Sequence, residues 1–177
     1  MIREMIEKTV SGFTHFNTNV RQAGGFYLPN GPREGKFTNQ EAKAQFTTNR
    51  FTDWRLADDE FLMMTIRTHD QFNTTVYGLN DRYRGIYNER RVILMNESDI
   101  EKANLKARQV VDIHNFDSGT HRIARQFIVI PYDIPCGCVA TYFPETNVLI
   151  PISSVADKSG TPTSKSVIVK ISSAKNS

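Results

Sequence analysis

The stretch Thr65–Gly85, with the sequence TIRTHDQFNTTVYGLNDRYRG, governs how the rest of this chain is interpreted. It follows Phe61–Met64 (FLMM), a short apolar run that is typical of a buried strand. Its first half places hydroxyl, amide and carboxylate side chains and the guanidinium of Arg67 directly after that strand. Such a segment is either a solvated loop or a ligand-binding loop whose groups suit phosphate oxygens and purine edges.

Downstream of this stretch, short apolar runs alternate with turn-forming residues. The predicted strands are Glu60–Thr68, Arg91–Met95, Gln109–His114, His121–Pro131, Cys138–Phe143 and Ser166–Ile171, with a further short apolar run at Val148–Ile150. Residues 96–104 predict a short helix, because Asn96 or Ser98 can cap it and acids occupy its first turn. The pattern predicts a mainly β fold of six or seven short strands with one or two short helices. Its regular spacing favours a closed barrel.

The first 57 residues differ from this pattern. Met1–Thr9 predicts a short helix, and residues 24–36 contain four glycines and two prolines, which indicate consecutive turns. Phe37–Phe46 is expected to carry a short turn and a strand. We therefore divide the chain into residues 1–57, an irregular approach segment from a longer chain, and residues 58–177, the barrel.

Composition narrows the classes of function. The 177 residues carry a formal net charge of +3, which fits an anionic small ligand or an acidic partner surface. The charge is too weak and too scattered to indicate nucleic acid, and there is no apolar run long enough to span a membrane. The first ten residues contain acids and no apolar signal core, so we expect a cytoplasmic setting. Cys136 and Cys138 are too few to hold a four-cysteine iron–sulfur cluster.

A family resemblance rests on motifs in a fixed order. They are Thr65–Thr74, Val92–Asn104, Val139–Asn147 (VATYFPETN) and Gly160–Ser166 (GTPTSKS), preceded by GGFYLPNGPREGKFTNQEAKAQF at residues 24–46. Together they make the chain resemble the C-terminal molybdopterin-dinucleotide-binding domain of the dimethyl sulfoxide reductase family, most closely that of formate-dehydrogenase-like oxidoreductase alpha subunits. The resemblance implies a double-psi β-barrel that binds bis(molybdopterin guanine dinucleotide) carrying molybdenum or tungsten. It also implies that the remaining domains of the enzyme bind the metal and any iron–sulfur cluster, so this chain has no catalytic residue or metal ligand of its own.

The resemblance also implies which residues contact the cofactor. They are Thr65, Arg67, Thr68, His69, Asp70, Gln71, Asn73, Thr74, Thr75, Tyr142, Phe143, Asn147 and Lys165. The residue types suit the ligand, since Arg67 can pair with phosphate through two nitrogens and the threonines offer hydroxyls. The chain departs from the family pattern at Lys106–Gln109, where a glycine-and-acid turn is usual, and at Pro135–Cys138, where a Pro-Gly step is common.

Two other hypotheses about the function fit the same residues. The same barrel serves as an interaction module in unrelated proteins, with the polar loop facing a protein partner. The chain could also be a separate small subunit that supplies only the barrel, without a redox role of its own. Binding of a guanine nucleotide at the Arg67–Thr75 loop distinguishes the cofactor hypothesis from the interaction module.

Overall fold

The computed structural model describes residues 1–51, 53–71 and 78–174. Backbone contacts divide the chain into two units, residues 1–52 and residues 53–177. The first unit contains helices α1 (Ile2–Thr9) and α2 (Phe16–Asn19) and a 3-10 turn at Pro32–Glu34. Helix α1 confirms the helix predicted at Met1–Thr9.

The strand expected within Phe37–Phe46 does not form. Among the described residues of the first unit no strand is present, and the side chain of Phe46 is fully exposed. Alternating polar and apolar residues are not sufficient for a strand, because the backbone also needs a neighbouring strand with which to pair. The expectation was therefore wrong at this segment.

The second unit is mainly β. Its strands are β1 (Phe61–Ile66), β2 (Val92–Met95), β3 (Val110–Asn115), β4 (Arg122–Pro131), β5 (Cys138–Tyr142) and β6 (Val167–Ser173). A short helix, α3 (Glu97–Lys102), follows β2, and 3-10 turns lie at Asp117–Gly119 and Asn147–Leu149. The predicted strands are confirmed, except that the run at Val148–Ile150 forms most of the second 3-10 turn.

These six strands close into a barrel in the order β1-β5-β2-β4-β3-β6, with β6 returning to β1. The pairs β1–β5 and β2–β4 are parallel, and the other four pairs are antiparallel. Closure removes the free edges that an open sheet would leave. This six-stranded mixed barrel confirms the predicted fold class.

Apolar residues pack on both faces of the central strands. Met63, Ile93 and Met95 belong to a cluster with residues of the remaining four strands, and this cluster forms the main core. Val92, Leu94, Ala140 and Tyr142 form a second cluster beneath Ile86, which belongs to the segment between β1 and β2. Strand β2 is consequently buried at all four positions. Alternate side chains of a strand point to opposite faces, so a continuous apolar run marks a strand that is covered on both.

Helix α3 begins as the sequence predicted. The Asn96 side chain accepts a hydrogen bond from the Ser98 amide at 2.9 Å, and Glu97 and Asp99 lie in the first turn. The buried Asp99 carboxylate also accepts a bond of 2.7 Å from the Gly137 amide. The cap therefore fixes the helix, and Asp99 fixes the turn that leads into β5.

Replacing Ile93 by alanine tests the main core. Ile93 has no exposed surface, so I93A is expected to lower the free energy of unfolding by about 2–5 kcal/mol through lost burial and a residual cavity. V110A is the matched control in another strand, since Val110 is 44% exposed, and its loss is expected to stay within about 0.5 kcal/mol. Urea denaturation of both variants measures the difference. Equal losses would contradict the assignment of Ile93 to the core.

Candidate functional site

The parallel pairing of β1 and β5 brings two polar segments to one end of the barrel. Ile66 is the register partner of Tyr142, and the Phe143 amide donates to the Ile66 carbonyl at 2.9 Å. Because parallel strands end at the same edge, Arg67 and Phe143 leave the barrel side by side. The turn after β5 then presents Asn147, and the buried Leu149 anchors that turn.

The beginning of β6 lies at the same end. Strand β6 runs antiparallel to β1, with Met63 opposite Val167, and the Thr65 amide donates to the Ser164 carbonyl at 3.1 Å. The Lys165 ammonium donates to the Thr65 carbonyl. Three segments that are distant in sequence, those following β1 and β5 and that preceding β6, thus meet at one place.

These segments enclose a cavity of about 540 Å³, which we call the β1–β5 cavity. Its described polar lining is Thr65, Arg67, Asn147, Thr161, Ser164 and Lys165, and its described apolar lining is Phe143, Ile150, Pro151, Ile152 and Pro162. The size is that of a small-molecule site, for which volumes of about 300–1,000 Å³ are usual. The lining therefore supplies both hydrogen-bonding groups and apolar surface for a flat ring or a sugar.

The electrostatics of the β1–β5 cavity favour an anion. Partial burial, and then the nearby positive charge of Arg67, lower the pKa of Lys165 below its ordinary value. None of the described lining residues is Asp or Glu. Two positive groups therefore share the cavity without an acidic lining group to offset them. A bound phosphate would relieve this repulsion and pair with both.

Five of the residues implied by the resemblance line this cavity. They are Thr65, Arg67, Phe143, Asn147 and Lys165. They come from three separate parts of the chain, and the fold brings them together in one cavity. The chemistry of this donor set fits the guanine dinucleotide of a molybdopterin cofactor, which carries phosphates, hydroxyls and a flat purine.

The other implied residues lie elsewhere or outside the described residues. Thr68 and Gln71 are buried, and the Gln71 side-chain oxygen Oε1 accepts a bond of 3.2 Å from Arg90. His69 is exposed and packs against Tyr83, with ring centroids 3.8 Å apart. Asp70 is exposed.

The resemblance implies that Tyr142 contacts the cofactor, but in the structure Tyr142 lies outside the described lining of the β1–β5 cavity. Its side chain is fully buried, and its hydroxyl donates to Asp81 at 2.8 Å. It is not among the described residues that line the β1–β5 cavity. Asn73, Thr74 and Thr75 lie outside the described residues.

Sequence reasoning missed several lining residues. Thr161, Ser164 and the apolar positions 150–152 line the cavity, although none of them was predicted as a contact. Two signals were available: the family motif Gly160–Ser166, which contains Thr161 and Ser164, and the dense run of small, polar and proline residues between Pro151 and Ser166, which indicated a loop. Nothing in a single sequence shows that this loop returns to the end of β1.

The part of the chain that the structure describes also bears on metal sites, disulfides and membrane spans. Within it, no group of three or more His, Cys, Asp or Glu side chains is placed to hold a metal ion. Cys136 and Cys138 are free thiols. Over the same residues, every helix is too short or too polar to cross a membrane.

Comparison with known proteins agrees with the cavity chemistry. The family model described as "Molydopterin dinucleotide binding domain" matches residues 61–168. The uncharacterized oxidoreductase Rv2900c of Mycobacterium tuberculosis is 40% identical over 96% of this chain, and Protein YdeP of Escherichia coli K12 is 32% identical over the same share. The chain spans 23% of the length of each of these relatives.

The fold and the site define the chain as a closed mixed β-barrel domain with a basic cavity where β1 and β5 end. More particularly, the chain belongs to the family of molybdopterin dinucleotide-binding domains. The resemblance to a molybdopterin-dinucleotide-binding domain, stated from the motifs, is confirmed.

Replacing Arg67 by glutamine tests the electrostatics of the cavity. R67Q removes the neighbouring positive charge, so the pKa of Lys165 is expected to rise toward its ordinary value. Lys170 is the control, because its pKa is raised by the hydrogen bond that its ammonium donates to Asp59 and should not change in R67Q. Nuclear magnetic resonance of the labelled lysine side chains, followed against pH, measures both. An unchanged Lys165 would show that the two groups do not interact.

Proposed function

We propose that this chain binds the guanine dinucleotide part of bis(molybdopterin guanine dinucleotide) in the β1–β5 cavity. The observation that carries the proposal is the convergence of Arg67 and Lys165 in one cavity whose described lining contains no acid. A pyrophosphate is the natural partner of two such groups, because it accepts several charge-assisted hydrogen bonds at once. The family to which the chain belongs supports the same ligand class.

The lining residues contribute different interactions to binding. Arg67 is exposed at the cavity and can present two nitrogens to a phosphate, while Lys165 acts as a point charge from the start of β6. Asn147 offers an amide donor and acceptor to ring edges or sugar hydroxyls. Phe143, Ile150 and Ile152 supply apolar surface. When bound, the cofactor supplies electron transfer through its metal centre, and these residues hold and orient it.

We further propose that the chain works as one domain of a molybdenum or tungsten oxidoreductase resembling formate dehydrogenase. The relatives support a multidomain protein, since the chain matches only 23% of their length. On this proposal residues 1–57 approach the barrel from the remaining domains, which bind the metal and any iron–sulfur cluster. The same proposal places the enzyme in the cytoplasm and makes formate the first substrate to test.

A nucleotide titration tests binding. Addition of GDP to the chain is expected to shift or broaden the backbone amide signals of Arg67, Asn147 and Lys165. R67A is expected to weaken GDP binding by about tenfold or more. N147A is expected to weaken it less, because an ionic hydrogen bond contributes more than a neutral one. The dissociation constants come from the same titration, and higher salt should weaken binding to the unmodified chain.

K102A is the matched control for R67A. Lys102 is 65% exposed on α3, so K102A removes the same charge without touching the cavity and is expected to bind GDP normally. An equal loss in K102A would mean that general charge attraction accounts for binding. Failure of the unmodified chain to bind millimolar GDP would contradict the proposal, as would unchanged cofactor content in the whole enzyme carrying R67A.

A further inference from the structure

Two arginines from the segment before β2 reach the backbone of two residues that line the cavity. Arg84 Nη1 donates to the Arg67 carbonyl at 3.2 Å. Arg90 Nη2 donates to the Phe143 carbonyl at 2.8 Å. Arg67 and Phe143 are the first cavity-lining residues beyond the ends of β1 and β5. One segment of chain therefore bonds to the backbone at two neighbouring positions of the β1–β5 cavity lining.

A carboxylate anchors each arginine. Asp81 Oδ2 accepts from Arg84 Nη1 at 2.5 Å, and the Asp81 side chain has no exposed surface. Glu145 accepts from Arg90 Nε at 2.5 Å and from Arg90 Nη2 at 3.2 Å, with the two side chains 13% and 4% exposed. A guanidinium bound through two nitrogens is fixed in orientation as well as position.

Tyr142 joins the two ion pairs. Its hydroxyl donates to the Asp81 oxygen that also accepts from Arg84, at 2.8 Å. Its ring lies beneath the Arg90 guanidinium, 4.9 Å from centroid to carbon. Burial alone would raise the pKa of Asp81, but the bonds from Arg84 and Tyr142 outweigh it and lower that pKa, so Asp81 is charged at neutral pH. We call Asp81, Arg84, Arg90, Tyr142 and Glu145 the arginine network.

Stability does not by itself explain such a network. Moving charges out of water has a desolvation cost that their attraction offsets only in part, and apolar residues of similar size often stabilise as well or better. Here every charge is bonded to another member, and both guanidinium groups donate to a cavity-wall carbonyl. The geometry that these bonds fix is the backbone position of Arg67 and Phe143 in the cavity lining.

We propose that the arginine network positions Arg67 and Phe143 in the lining of the β1–β5 cavity. It thereby sets the affinity of the cavity for a guanine nucleotide. This inference rests on the proposed function. It assigns Tyr142 a supporting role behind the cavity in place of ligand contact. Gln71 has the same role, because it accepts from Arg90 at 3.2 Å and its amide nitrogen lies 3.5 Å from the Phe143 carbonyl. These residues act through Arg67 and Phe143 and do not touch the ligand.

E145Q and Y142F test the network with small changes of shape. E145Q removes the charge that holds Arg90, while Y142F removes only the hydroxyl bonded to Asp81 and keeps the ring beneath Arg90. Each is expected to raise the dissociation constant for GDP by about threefold to tenfold, the ratio that one weakened hydrogen bond gives. In the absence of nucleotide, hydrogen exchange at the Phe143 and Asn147 amides should be faster in E145Q than in the unmodified chain.

D112N is the control for a merely structural effect. Asp112 is also a buried carboxylate, bonded to the Gln126 amide at 2.9 Å and to Arg125 at 3.4 Å, and it lies on β3 away from the described cavity lining. D112N is expected to lose stability, yet to change the dissociation constant for GDP by no more than about twofold, as distant sites do. Weakening of GDP binding in E145Q and Y142F but not in D112N supports positioning.

Failure of the inference is distinguishable from failure of the proposed function. If the unmodified chain binds GDP and both E145Q and Y142F bind it equally well, the positioning role is wrong and the proposed function stands. If D112N weakens binding as much as E145Q, loss of stability accounts for the effect and the inference is also wrong. If the unmodified chain does not bind GDP, the proposed function fails and the inference fails with it, whatever the exchange rates show.

Discussion

The pairing of β1 with both β5 and β6 is the constraint on which the rest of this structure depends. The parallel β1–β5 ladder places the residues after both strands at one end, and the antiparallel β1–β6 ladder brings the residues before β6 to the same end. A shift of one residue in either ladder would turn alternate side chains to the opposite face. It would therefore expose core residues such as Met63 and separate Arg67 from Lys165. Core packing and site geometry are fixed by the same register.

Barrel closure leaves the site with a particular composition. Because the closed sheet satisfies its own backbone groups, the connecting loops are free to carry polar side chains. Three such loops supply Arg67, Asn147 and Lys165, and the stretch at residues 150–152 adds apolar lining. The outer face of β2 and β5 is covered by Ile86 and its neighbours, and within that layer lies the arginine network. The cavity thus lies at the surface, and hydrogen bonds from the arginine network hold two of its lining residues.

The electrostatic balance connects this architecture to cofactor binding. Arg84 and Arg90 are neutralised by Asp81 and Glu145 behind the cavity wall, while Arg67 and Lys165 face the cavity with no acid among its described lining residues. Charges that position the backbone are thus paired within the protein, and charges that face the cavity are left for a ligand. This separation suits a domain of the molybdopterin dinucleotide-binding family, whose ligand brings its own negative charge.

The sequence by itself determined the six barrel strands, the short helix after β2 and the family, because these depend on local alternation, turn residues and motifs in order. It also indicated Arg67, Asn147 and Lys165 by resemblance, and all three line the cavity. It could not show that Tyr142 and Gln71 lie behind the wall, nor that the loop containing Thr161 and Ser164 completes it. Arg90 and Glu145 are 55 positions apart, and nothing local marks them as partners. Only the tertiary structure decided these points, because strand order and register determine which distant residues meet, and no local pattern encodes them.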